Sequence, residues 1–188
     1  MFKYFFLEEE YNKCKEFSEK IDTSFYSTRS QTNNNKRKKD QLVGKLGEIL
    51  CFNYLKNKIT DLSYPDFNIY EKNKKSWDFD LKAVNYNIHV KSQDVEQGLK
   101  YGESWLFQNS GSKFKGYDKE IFDKTSQNQY ICFCMIDLKE KFGLIKAIVS
   151  LDYLHNNNLF KYPKLEILKI NNKLAVYFDD IGEKNMIL

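Results

Sequence analysis

The sequence contains no run of 18 apolar residues, which excludes a membrane-spanning helix. It has two histidines, His89 and His155, and no motif surrounds either. A serine or cysteine nucleophile served by a histidine base therefore has little to draw on. Neither a Walker loop nor a dinucleotide-binding glycine fingerprint is present, and no internal repeat is visible. The four cysteines, Cys14, Cys51, Cys132 and Cys134, make no paired C-x-x-C zinc frame. They sit inside apolar or helical patterns and read as small buried hydrophobes, not as a disulfide framework. Arginine is scarce: Arg29 and Arg37 are the two among 30 basic residues. Lysine and asparagine excess of this kind accompanies AT-rich coding, so the net charge of +4 says little by itself.

What is present bounds the class. A chain of 188 residues fits one domain, and 41% hydrophobic with 16% aromatic residues excludes wholesale disorder. Residues 1–35 read as an appendage of helix and loop, and residues 36–188 as the main domain. Met1 to Leu7 is apolar but too short for a signal peptide, and it runs into Glu8-Glu9-Glu10. The expected location is the cytoplasm, with no membrane partner. The charge distribution is more telling than its sum. Residues 36–58 carry a local +5 and residues 1–26 a local −2. A basic patch of that kind permits a phosphate-rich partner, although a solvated helix face produces the same pattern.

Hydrophobic spacing predicts an amphipathic helix over 8–21 through Tyr11, Cys14, Phe17 and Ile21. It predicts a stronger one over 37–57 through Leu42, Leu46, Ile49 and Leu50. Gly44 and Gly47 inside that helix imply close approach to another backbone, because each costs about 1 kcal/mol relative to alanine. Residues 66–70 and 77–84 alternate like strands, and Ile88 to Lys91 resumes after turn residues. Tyr130 to Ile136 is continuously apolar, as in a buried central strand. Phe142 to Val149 reads as a further strand, and Ser150 as the cap of a short helix. Leu165 to Ile170 and Lys173 to Phe178 read as a second hairpin around Asn171-Asn172. His155 reads as surface, and the aromatic clusters at 105–107 and 114–117 as core or loop packing that could also stack on bases. The whole is α/β or α+β, a mixed central sheet flanked by helices, with a helix at the N-terminus.

One constellation carries chemistry. Glu48 lies on the long helix, Asp78 and Asp80 share one strand face, and His89 and Lys91 share the face of the next strand. An antiparallel pairing brings either aspartate within reach of His89 and Lys91. Carboxylates there suit Mg²⁺, which takes oxygen ligands and keeps several waters. An ammonium beside them offsets phosphate charge. These parts suit metal-assisted hydrolysis of a phosphodiester.

The ordered set Gly44-Lys45-Leu46-Gly47-Glu48, Trp77-Asp78-Phe79-Asp80-Leu81 and Ile88-His89-Val90-Lys91-Ser92-Gln93 resembles the restriction-endonuclease-like (PD-(D/E)xK) nucleases. The resemblance covers about residues 40–137. It implies a mixed sheet flanked by helices, and Mg²⁺-dependent cleavage of nucleic acid with Mn²⁺ as a substitute. It makes Glu48 the helical carboxylate, Asp78 the metal-binding aspartate with Asp80 as competitor, and Lys91 the catalytic lysine. His89 departs from the pattern, standing where the family has Glu or Asp. Imidazole is a poorer ligand for Mg²⁺ than a carboxylate. Either Asp80 or Glu48 supplies the missing oxygen, or His89 itself ligates the metal or holds a water, or catalysis is weakened.

The resulting expectation is an endonuclease of restriction type acting on double-stranded DNA as a homodimer. Lys36, Arg37, Lys38 and Lys39 are the candidate phosphate contacts, with Gln93 beside the site as a further nucleic-acid contact. A structure-specific repair or recombination nuclease would use the same site. A non-catalytic nuclease-fold protein that binds nucleic acid is the alternative that His89 motivates.

Overall fold

The computed structural model describes residues 2–21, 33–70, 79–109, 118–122, 128–170 and 172–182. Strand β5 (Gln129–Asp137) is its axis. Both of its faces are covered, which is why its sequence is apolar throughout. Cys132, Cys134 and Ile136 point into one core; Ile131, Phe133 and Met135 point into another. Strand β3 (Tyr86–Asp94) runs parallel to β5, and β6 (Phe142–Ser150) runs antiparallel to it on the other side. Strand β2 (Leu81–Ala83) pairs antiparallel with β3 across a two-residue turn at Val84 and Asn85. Strand β1 (Phe2–Phe5) pairs antiparallel with β6. The mixed five-stranded sheet therefore has the order β1-β6-β5-β3-β2.

Helix α1 (Glu8–Lys20) and helix α2 (Asn34–Leu55) cover the first face. Val43, Leu46, Ile49, Leu50, Cys51 and Leu55 of α2 meet Ile88, Cys132 and Cys134. At Gly47 a close approach occurs, but to side chains of β3 and not to the backbone that the sequence implies. A Cβ there would stand 1.8 Å from Ser92 Oγ of β3. Gly44 has nothing within 4 Å of the same construction, so the expectation fails at that position. The first 21 residues are stitched into the domain. Beyond the pairing of β1, Glu10 receives the Tyr4 hydroxyl at 2.9 Å and the Asn53 amide at 2.8 Å.

The second face is covered by a two-stranded sheet of β4 (Ser104–Gln108) and β7 (Lys173–Tyr177), with helix α5 (Leu151–Asn156). Trp105 and Phe107 are buried there against Phe133. Ser150 caps α5 by accepting the Tyr153 N–H, as its sequence position implies. Two expected strands are not found. Residues 166–170 form a helical turn instead of a hairpin arm, and β7 pairs with β4. Residues 66–70 form no strand, because the Asp66 side chain accepts the Asn68 N–H and bends its own chain. Among the described residues, no helix is long and apolar enough to cross a membrane.

Candidate active site

The site lies where β2 parts from β3. Strand β2 begins at Leu81, opposite Ile88. Before it, the Asp80 carboxylate takes over the role of a strand carbonyl: Oδ2 accepts the Val90 N–H at 2.7 Å. This anchors the carboxylate on β3 beside His89. Asp78 and Trp77 lie outside the described residues, so Asp80 is the aspartate whose position is known.

Glu48 arrives from α2, on the turn that follows the Gly47 contact. Its side chain is 14% exposed, and Oε2 accepts a hydrogen bond from Lys45 Nζ at 2.6 Å. Lys45 is itself buried and donates to the Asp66 carbonyl at 2.7 Å. Its ammonium lies over the rings of Phe17 and Phe67. Burial pushes the Glu48 carboxyl up to about 8, and the nearby Asp80 charge adds to that against the opposing pull of Lys45. Glu48 and Asp80 thus lie near enough for the charge of one to act on the other.

His89 projects from β3 with its ring against Phe79, centroids 4.8 Å apart. Burial lowers its pKa, while the Asp80 charge pulls the other way and Lys91 adds to the lowering. Its Nε2 is buried without a hydrogen-bond partner among the described residues. Two residues on, Lys91 Nζ lies 3.1 Å from Asp118 Oδ2 and 4.9 Å from the centre of the Phe107 ring.

Asp80 is the common neighbour: its charge acts on Glu48, which comes from α2, and on His89, which with Lys91 lies on the face of β3 turned away from α2. Among the described residues, no three carboxylate, imidazole or thiol groups converge closely enough to form a ready-made cation cage. Two carboxylates and bound waters meet the needs of Mg²⁺. Glu48 and Asp80 are the two carboxylates here that could hold such an ion. The predicted phosphate contacts are less uniform. Lys39 is tied to Asp94 at 2.7 Å and to Glu96 at 3.3 Å, across to the start of helix α3 (Val95–Tyr101). Gln93 spends its side chain on the Gly102 carbonyl and the Ser104 N–H, which makes it a clamp between α3 and β4.

Sequence reasoning passed over Lys45 and Asp118. Lys45 had a local signal, since it precedes Glu48 by three residues and so shares its helix face. Asp118 had none, because it meets Lys91 across 27 residues of chain. His155 is also less free than expected: its Nε2 lies 2.9 Å from the Ile121 carbonyl. Comparison with protein-family models, with curated proteins and with solved structures found no match to this chain.

Proposed function

We propose that the chain is a metal-dependent endonuclease that hydrolyses DNA phosphodiester bonds, with a restriction-endonuclease-like core. The observation that carries this reading is the pairing of the Glu48 and Asp80 carboxylates at the parting of β2 and β3, with His89 and Lys91 on the adjoining strand. The local arrangement supports it: Asp80 immediately precedes the short strand β2, and β2 pairs antiparallel with β3, which bears His89 and Lys91.

Glu48 and Asp80 are the residues that would hold a divalent cation, Mg²⁺ or Mn²⁺. Such an ion supplies Lewis-acid polarisation of the phosphodiester and a bound water of lowered pKa. Lys45 orients the Glu48 carboxylate by holding one of its oxygens. His89 Nε2 is placed to hydrogen-bond a water or substrate oxygen. The Lys91 ammonium offsets negative charge developing on the phosphate. A two-fold dimer acting on double-stranded DNA in the cytoplasm completes the proposal, since symmetric cleavage of a duplex calls for two related sites.

The test is cleavage of supercoiled and linear plasmid with Mg²⁺, with Mn²⁺ or with EDTA, beside Lys91→Ala. Metal-dependent cleavage lost in EDTA and in the variant supports the reading. Discrete fragments mark a restriction-type enzyme, and cleavage confined to branched DNA marks a structure-specific one. Absence of cleavage under all conditions, with duplex binding retained, turns the assignment to a non-catalytic binding protein.

A further inference from the structure

The partner of Lys91 is the informative feature. Alternation on β3 sends Ile88, Val90 and Ser92 toward α2, where Ser92 meets Gly47. Alternation puts His89 and Lys91 on the opposite face, where Lys91 reaches β4. There the Lys91 ammonium has two walls: the Phe107 ring at 4.9 Å and the Asp118 carboxylate at 3.1 Å. Both members of the ion pair are about one-fifth exposed, at 23% and 20%. That leaves the pair sheltered from bulk solvent and still open to a ligand.

The two partners are held differently. Asp118 Oδ2 also accepts the Gln108 N–H at 3.0 Å, and the Asp118 N–H donates to the Gln108 carbonyl at 2.9 Å. The carboxylate is thus built onto the end of β4. Lys91 sits at the end of a flexible four-carbon stem and has three donors, of which Asp118 takes one. The carboxylate is the fixture and the ammonium is the part that can move. Asp118 also belongs to the field of the site, because its charge acts on the His89 ring. For the Gln108 contact alone, an amide oxygen would serve as well as a carboxylate. The negative charge is the feature that backbone bonding does not need.

We propose that Asp118 is the positioning residue of Lys91: in the free protein it holds the ammonium over Phe107, and a substrate phosphate takes its place as counter-ion. This rests on the phosphodiesterase reading of the site. Asp118 has two effects on that account. It pre-sets the ammonium for the reacting phosphate, and its charge weakens ground-state binding of the phosphate.

Asp118→Asn isolates the charge, since the amide oxygen still accepts the Gln108 N–H. Binding of a labelled DNA duplex is measured by fluorescence anisotropy in EDTA at low salt. Cleavage is measured separately with Mg²⁺ or Mn²⁺. The full-length Asp118→Asn protein is expected to bind about five- to tenfold more tightly than wild type. That gain should vanish in the Lys91→Met background. With metal, kcat should fall while KM does not rise, and Asp118→Glu should recover part of kcat. An ion pair that only stabilises the fold predicts weaker binding and slower cleavage together, whether or not Lys91 is present, and that result overturns the proposal. Unchanged affinity in Asp118→Asn overturns it too. If wild type binds duplex but cleaves none, the hydrolytic reading falls, while the affinity comparison with Lys91→Met still decides the role of Asp118. Wild-type protein that binds no duplex overturns the exchange of counter-ions itself.

Discussion

Glu48 is a carboxyl that folding turns into a weaker acid. Its value rises from 4.5 to about 8, chiefly through burial, with Asp80 and Asp66 adding repulsion and Lys45 opposing. Between those values the folded chain holds more protons than the unfolded chain. This contribution to stability is complete below about pH 4.5 and declines as pH rises toward 8, by up to about 1.4 kcal/mol per unit. Glu48→Gln keeps an oxygen for Lys45 and has no proton to lose. The two proteins should therefore have similar pH slopes below about pH 5, with the variant gaining relative stability up to about pH 8. Urea unfolding across that range checks this, and a stability difference independent of pH would contradict it. His89 acts in the opposite sense. Its lowered pKa contributes stability above about 6.5 that is lost as pH falls through the lowered value. Both proteins carry His89, so its effect largely cancels in the comparison. Adding Mn²⁺ should stabilise wild type most at the alkaline end, where the carboxylate is free to bind it.

At the level of elements, α2 and β3 position the site, and their contact turns on one glycine. Gly47→Ala drives a methyl into Ser92 Oγ and brings it within 3.3 Å of Val90 Cγ1. It should cost about 1–3 kcal/mol. Gly44→Ala meets nothing within 4 Å and should stabilise the helix by up to about 1 kcal/mol. Thermal unfolding of the two variants checks the pair; equal effects would mean that α2 does not rest on β3 at Gly47. Local periodicity made α2 and α1 legible, and the unbroken apolar run did the same for β5. What escaped were pairings between distant segments. Strand β1 joins β6 from the far end of the chain, and β7 joins β4 instead of folding back on residues 165–170. No local pattern encodes such choices. The misread strand at 66–70 failed for a local reason, because Asp66 competes for the backbone donor that a strand would use.

For the molecule as a whole, the charge asymmetry between residues 36–58 and 1–26 becomes a statement about binding. Lys36, Arg37 and Lys38 are the candidate phosphate contacts at the start of α2, while Lys39 is committed to Asp94 and Glu96. Neutralising the first three should weaken duplex binding and reduce its salt slope by up to about 0.9 per lost contact. Adding Lys39→Gln should reduce the slope little further. Titrations over a salt series check this, and an unchanged slope would remove this helix end from the interface. The candidate site was legible to the same extent as its elements. Glu48, His89 and Lys91 stand on the expected helix and strand because helical and two-residue periods place them there, while Asp80 falls one residue short of β2 and is held by its side chain instead. Lys45 and Asp118, which hold Glu48 and Lys91, required the folded chain.

The central claim is that Asp80 and Glu48 together serve phosphodiester hydrolysis. It is tested most directly by plasmid cleavage with Mg²⁺ or Mn²⁺, comparing wild type with Asp80→Asn. The amide oxygen of the variant still accepts the Val90 N–H, so the strand junction survives while the charge is lost. The account predicts that wild type cleaves and that Asp80→Asn loses at least about a hundredfold in rate. An Asp80→Asn protein that cleaves as fast as wild type would contradict it.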